Sequence, residues 1–488
     1  MSFAPVPWMS LRWTRASVRA ALICVLTCGM TPLVVASNAA ATTDEVPVAA
    51  STATEFIDET GTPLAILENG VTATVFIAGD SAPRLKMQWI DAQGQPLFTA
   101  GGLDVAGDAG AVAAASIVRR PAGGAYVVYG QETPSGGQHF YAQAFNRSGV
   151  AQWPGDGVRV SNLPDTQLDV SLTPDFAGGL YACFSRPAAS KIQCQHLDRD
   201  GDRLWSEAGL DAGGEPGLKV RPQTVYDGAE GVLVFWRNQG SLDDKKPDFM
   251  TLEGQHFNSP GYPLWANGIE IRNTFLPEST DVGPSILVAL NDGFGGAYLI
   301  FEALLTVNAQ NLDVVMQRVS GSGNILWEDQ RPVIADPAAT ELETAVPAPD
   351  GGFAVITREP AGDSGSRLRL FRLDDQGFQK WDADGIELTA PGSDVARAFP
   401  HASFESGVLW VAWSEQLSPG STEMDIQLAR FGLNGRRLNR HNIPVTTAPN
   451  SQFCQGLAFD PATQRTAVLW DDLRKGSPDD MDVYLRFF

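Results

Sequence analysis

The chain has 488 residues, 43% of them hydrophobic, and a formal net charge of −22. The apolar fraction is enough for a large buried core, and the acidity argues against nucleic acid or an anionic membrane surface as partner. Length alone suggests roughly three domains, a prior that fails for repeat folds.

Met1–Ala41 reads as an export signal rather than fold. Arg12, Arg15 and Arg19 form a basic start, Ala20–Ala36 is apolar but interrupted by Gly29 and Pro32, and small residues follow at Ser37–Ala41. Cleavage is expected near Ala39 or Ala41. The competing readings are an uncleaved anchor and lipidation at Cys28, whose preceding Val25-Leu26-Thr27 makes a poor lipobox. Without the three arginines the mature chain keeps 32 basic and 57 acidic residues, a net charge of −25. No later stretch is long and apolar enough to span a bilayer as a helix. The expected address is periplasmic, cell-surface or extracellular.

From there on the chain repeats itself. A Gln on an apolar/polar run is followed by a Gly turn and then a Trp, as Gln143/Gly149/Trp153, Gln195/Gly201/Trp205, Gln255/Gly261/Trp265 and Gln317/Gly323/Trp327. Weaker copies are Gln88/Gly94/Phe98, Phe371/Gly377/Trp381 and Ala429/Gly435/Asn439. The intervals between turn glycines are 55, 52, 60, 62, 54 and 58 residues. Periods of this length mark a repeat architecture. Between the cassettes an Asp/Gly turn feeds a short β-branched and aromatic run, clearest at Asn291–Phe301. Such a turn is a hairpin signal, and near-continuous apolarity implies burial on both faces. An aromatic closes most of these runs: Phe76, Tyr129, Phe184, Trp236, Phe301, Trp413 and Trp470, with Thr357 the exception.

Each repeat thus supplies four short strands, and no stretch of ten or more residues has convincing helical periodicity. Four antiparallel strands per ~55 residues is the blade of a β-propeller, and the fold class is all-β. The approximate repeats are 51–106, 107–163, 164–214, 215–275, 276–337, 338–391, 392–448 and 449–488. The last lacks a fourth strand, and residues 44–50 supply it: Glu45–Ala50 resembles the fourth strand Asn442–Thr447. Eight blades closed by an N-terminal strand is therefore the expectation, with seven or nine as alternatives.

Of the three cysteines beyond the signal, Cys183 and Cys194 lie on consecutive strands, where a disulfide suits an oxidising compartment. Cys454 is left over as a buried thiol. Acids gather where second strands end, at Glu132, Glu302, Glu359, Glu415, Asp471 and Asp472. Around an axial funnel they form a rim that can bind a cation or basic partner, or do acid/base chemistry through a pair such as Asp471/Asp472. Asp198–Asp202 is too poor in ligands for a full calcium loop. Calcium is the one cofactor left open. His196 and His256 share a repeat column but sit a blade apart, too far to share a zinc, and read as repeat drift. Gly362-Asp363-Ser364-Gly365 echoes a protease nucleophile loop but lacks a histidine context.

The Gly-x-x-x-Trp turn resembles the tryptophan-docking motif of eight-bladed quinoprotein propellers and of the propeller that scaffolds outer-membrane protein assembly. The Thr before Gly and the adjacent Cys pair of quinoproteins are missing, so the resemblance implies Trp staples between blades and no quinone. Compared with the Asp-box of sialidases, the spacing from Gly to Trp is one residue too long. Over nearly the whole mature chain the pattern is similar to uncharacterised secreted bacterial propeller repeat proteins, which implies no activity. The expected function is a non-catalytic binding or scaffold module for a protein or glycan, working as a monomer. The alternative is a polysaccharide hydrolase or lyase using rim carboxylates.

Overall fold

Short apolar runs punctuated by glycine turns give strands and little else. Among the described residues the helical pieces are two 3-10 turns, Glu68–Gly70 and Pro187–Ala189. The computed structural model describes residues 45–49, 54–57, 61–79, 83–106, 112–240, 249–275, 287–304, 313–327, 331–334, 340–362, 365–388, 394–477 and 480–488. Met1–Ala41, read above as an export signal, and the cleavage expected near Ala39 or Ala41 lie outside these residues.

The strands pair into eight antiparallel sheets that follow chain order. Blade 3 is representative: Leu168–Pro174, Leu180–Arg186, Lys191–Leu197 and Leu210–Asp211 lie side by side in that order. Seven sheets have four strands, and the first adds a fifth short strand, Leu64–Ile66. Within blade 3, Cys183 and Cys194 are direct cross-strand partners and their sulfurs are bonded. Cys454 is a buried free thiol.

Second strands are buried on both faces, as from Leu180 to Ser185 and from Val232 to Trp236. The aromatics that close them fill the gaps between neighbouring sheets. Eight apolar clusters result, each drawn from two consecutive blades. In one, Trp89 of blade 1 packs with Val127 and Tyr129 of blade 2. In another, Val483 and Leu485 of blade 8 meet Leu64 and Phe76 of blade 1. The core is thus divided among the seams of a closed ring, since no blade can bury its own faces alone.

Closure comes from the N-terminal strand Glu45–Pro47. It pairs antiparallel with Asp482–Phe487, setting Glu45 opposite Arg486 and Pro47 opposite Tyr484. Arg474 joins Glu45 to Asp472, at 2.8 and 2.7 Å. No sheet edge is left open between the two ends. Among the described residues no helix is long and apolar enough to cross a membrane.

Antiparallel order gives the ring two unlike sides. Turns joining first to second and third to fourth strands fall on one, the tight-turn side. Loops joining second to third strands, and the passages between blades, fall on the other. Parts of the latter, at 241–248, 305–312, 363–364 and 478–479, lie outside the described residues, so Asp363 and Ser364 do too.

Candidate functional site

The Gln, Gly and Trp of each cassette act as one device. Gln143 accepts a hydrogen bond from the Trp153 N–H at 3.0 Å, and Gln317 accepts one from Trp327 N–H at 3.1 Å. The clamped Trp crosses the seam. Trp153 Nε1 donates to Arg199 O, Trp205 Nε1 to Ser259 O and Trp265 Nε1 to Gly321 O, at 2.9–3.0 Å. Trp381 Nε1 donates to Leu433 O at 2.8 Å. The next turn glycine makes room for the ring. Gly201 and Gly261 have φ of +87° and +93°, and a Cβ on them would meet Trp153 and Trp205 at 2.9 and 2.8 Å. The relay continues from Trp265 to Gly323, from Trp327 to Gly377 and from Trp381 to Gly435, and begins with Phe98 under Gly149.

Five of the six acids are engaged in bonds within the fold. Glu302, on the second strand of blade 5, accepts the Leu342 N–H of blade 6 at 2.9 Å. Asp471 of blade 8 accepts the Ile57 N–H of blade 1 at 2.9 Å. Ser414, in the same column of blade 7, accepts the Cys454 N–H at 2.9 Å. One column holds these three clasps between blades, because each side chain reaches a backbone donor of the next first strand. One residue further on, each acid takes a cation: Glu359 takes Arg369 at 3.1 Å, Glu415 takes Arg397 at 2.7 Å and Asp472 takes Arg474 at 2.7 Å. Strand alternation sends Asp471 and Asp472 to opposite faces, so they do not face one another. Glu132 is exposed and stands apart.

The first strands carry an irregularity that sequence reasoning missed. First strands of blades 2, 3, 4, 6, 7 and 8 each carry a register shift near their start. Ala114, Asp169, Arg221 and Phe399 there take left-handed conformations, with φ of 53–54°. A bulge of this kind frees a backbone N–H from the ladder. The residue types are unlike and none is glycine, so no shared letter marks the feature.

Charge at the seams shifts several groups. Arg237 is buried against the Phe301 ring, its guanidinium carbon 5.1 Å from the centroid, and donates to Glu302 O at 2.7 Å. Burial lowers it to about 10. Burial, with Glu423 and Asp472 near, pushes Asp425 up to about 6. Burial alone would raise Asp175 and Asp227. Hydrogen bonds from His196 and His256 and from backbone N–H groups instead hold both below the usual carboxylate range. These histidines occupy a recurring buried contact, which corrects their reading as drift. Asp198 Oδ1 accepts from Asp200 N–H and Asp202 N–H at 2.8 and 2.9 Å, so this carboxylate caps its own turn. Among the described residues no group of three or more His, Cys, Asp or Glu is placed to hold a metal.

Exposed apolar side chains are unevenly placed. Among the described residues fourteen large hydrophobics are exposed, and eleven lie on the tight-turn side. Nine follow the turn glycines: Leu97, Val150, Leu204, Tyr262, Leu264, Ile325, Leu326, Phe378 and Leu438. Phe176 and Phe294 sit on turns between first and second strands. The leucines immediately precede the clamped residue, so alternation turns them outward as the Trp turns in. Among the described residues Leu168, Leu218 and Leu417 belong to the other side.

Sheets, seams and strand closure define an eight-bladed, all-β propeller. No protein-family model matches the chain, and no curated protein does. Among solved structures, an ulvan lyase, a polysaccharide lyase, superposes with a TM-score of 0.47 at 12% identity, over 84% of this chain and 98% of that one. A puromycin hydrolase gives 0.45 at 15% identity, over 84% of this chain and 58% of that one. A Dyadobacter fermentans protein of unknown function gives 0.38 at 11% identity, over 80% of this chain and 97% of that one. The propeller assignment rests on the sheets themselves.

Proposed function

We propose that this chain is an exported, non-catalytic binding module whose tight-turn side docks a protein partner. The concentration of eleven exposed large hydrophobics on that side carries the reading. Contiguous exposed apolar surface is a mark of interaction sites, whereas scattered single residues are ordinary. Repetition after successive turn glycines places these residues around the ring. The engaged acids agree with a binder. A glycosidase needs two facing carboxylates about 5–9 Å apart, whereas Glu302 and Asp471 are engaged across seams and Glu359, Glu415 and Asp472 in ion pairs within their own blades. The reading needs no cofactor.

The test uses mature protein and the variant Leu204→Lys/Leu264→Lys/Leu326→Lys. These side chains are exposed, so the fold should tolerate the change. Cross-linking and pull-down from the exported fraction should recover a partner with the parent protein and lose it with the variant. Equal recovery with both, or cleavage of a polysaccharide panel by the parent, overturns the reading.

A further inference from the structure

The column after the clamping Gln carries His196, His256, Arg318 and Arg372 in blades 3 to 6. In blade 5, Arg318 Nε donates to Asp292 at 2.9 Å and Nη1 to Asp375 O, on the next blade's turn, at 3.2 Å. His256 makes the same two contacts one blade earlier. Its Nε2 lies 2.9 Å from Asp227 Oδ2, and its Nδ1 lies 2.8 Å from Gly321 O. His196 repeats them again, with Nε2 2.9 Å from Asp175 Oδ2 and Nδ1 3.3 Å from Ser259 O.

A carboxylate and a carbonyl both only accept hydrogen bonds. A neutral imidazole has one donor and must turn its bare nitrogen toward one of them; only imidazolium satisfies both. Both rings are buried, so water cannot supply the missing donor cheaply. We propose that His196 and His256 are imidazolium cations in the folded protein, and that they latch blade 3 to blade 4 and blade 4 to blade 5 in a proton-dependent way. Where blade 5 is latched to blade 6 by the permanent guanidinium of Arg318, these two seams use a charge that pH can remove.

The surroundings favour the cation. Asp175 faces His196, and Asp227 faces His256. Tyr181 stacks on His196 with ring centroids 4.1 Å apart, while Trp205 and Trp265 present edge contacts to the two histidines. Asp175, Asp227 and Tyr226 also act on Tyr181, which stacks on His196. The sign follows. A latch made by imidazolium holds while both ring nitrogens carry a proton and is lost when one proton leaves. At the acid end Asp175 and Asp227, held below the usual range, contribute above the ordinary carboxylate value and lose that contribution as pH falls.

Nitrogen-15 NMR of histidine-labelled mature protein at pH 7.5 tests the assignment without any variant. Two of the five histidines should show both ring nitrogens protonated. A bare ring nitrogen on every histidine overturns the proposal. Thermal melts add a second readout. The Tm of the parent should fall by several degrees between pH 6 and 8.5, and His196→Arg/His256→Arg should lose less than half as much. Equal falls in a folded variant also overturn it.

Discussion

Replacing Gly261 with Ala should loosen one Trp staple measurably. Gly261 has φ of +93°, so any Cβ there is strained, at about 1–2 kcal/mol. The added carbon would also meet Trp205 at 2.8 Å and Leu210 at 2.9 Å. Overpacking of that kind costs roughly 1–3 kcal/mol, giving about 2–5 kcal/mol together. Gly136 is the control. Its φ is +83°, and a Cβ there meets nothing within 4 Å. Gly136→Ala should therefore show the strain alone, about 1–2 kcal/mol. Urea unfolding followed by tryptophan fluorescence measures both, and the difference isolates the staple. Trp205→Phe in the Gly261→Ala background should recover part of the loss, because the ring shrinks where the methyl intrudes. Equal costs for the two alanine variants, within about 0.5 kcal/mol, would mean the ring has room to move and the turn glycines serve conformation alone.

Further expectations concern the seams. Asp471→Ala orphans the buried Ile57 N–H and should cost about 1–3 kcal/mol in urea melts, whereas Asp471→Asn keeps an acceptor and should cost less. Asp425 is raised to about 6, so the folded state holds its proton more tightly than the unfolded chain does. Its contribution is present below the ordinary carboxylate value and fades as pH rises through about 6. Asp425→Asn should therefore stabilise by about 1 kcal/mol at pH 7.5, after discounting for partial exposure, and change little at pH 3.5. Reducing Cys183–Cys194, whose partners are 11 residues apart, should lower stability by about 2–3 kcal/mol, read as a lower urea midpoint in reductant.

Much of the architecture is written plainly because the fold uses the same letters at the same places. The turn needs Gly for positive φ and for ring clearance, and the seam needs a large aromatic, so Gly201 and Trp205 recur in kind down the chain. The last third strand is legible from Asp482–Phe487, and its missing neighbour from Glu45–Pro47. The acids were harder to read. Glu302 and Asp471 look like solvated loop charge, since a carboxylate that holds a backbone N–H leaves the same letter as one in water. The bulges at Ala114, Asp169, Arg221 and Phe399 fall on four unlike residue types, none of them glycine, so no shared letter announces them. His196 and His256 were legible as a column. Their role becomes clear only when Arg318 is seen making the same two contacts.

The pairing of Glu45–Pro47 with Asp482–Phe487 also sets an order of events. A chain delivered N-terminus first presents Glu45–Pro47 long before its partner exists. Blades can form one after another, but the edge of the eighth waits until residues 482–487 emerge. Ring closure therefore waits on residues 482–487, whichever blades have formed before them. A deletion of those six residues should leave every earlier blade its own strands and still deny the molecule a ring.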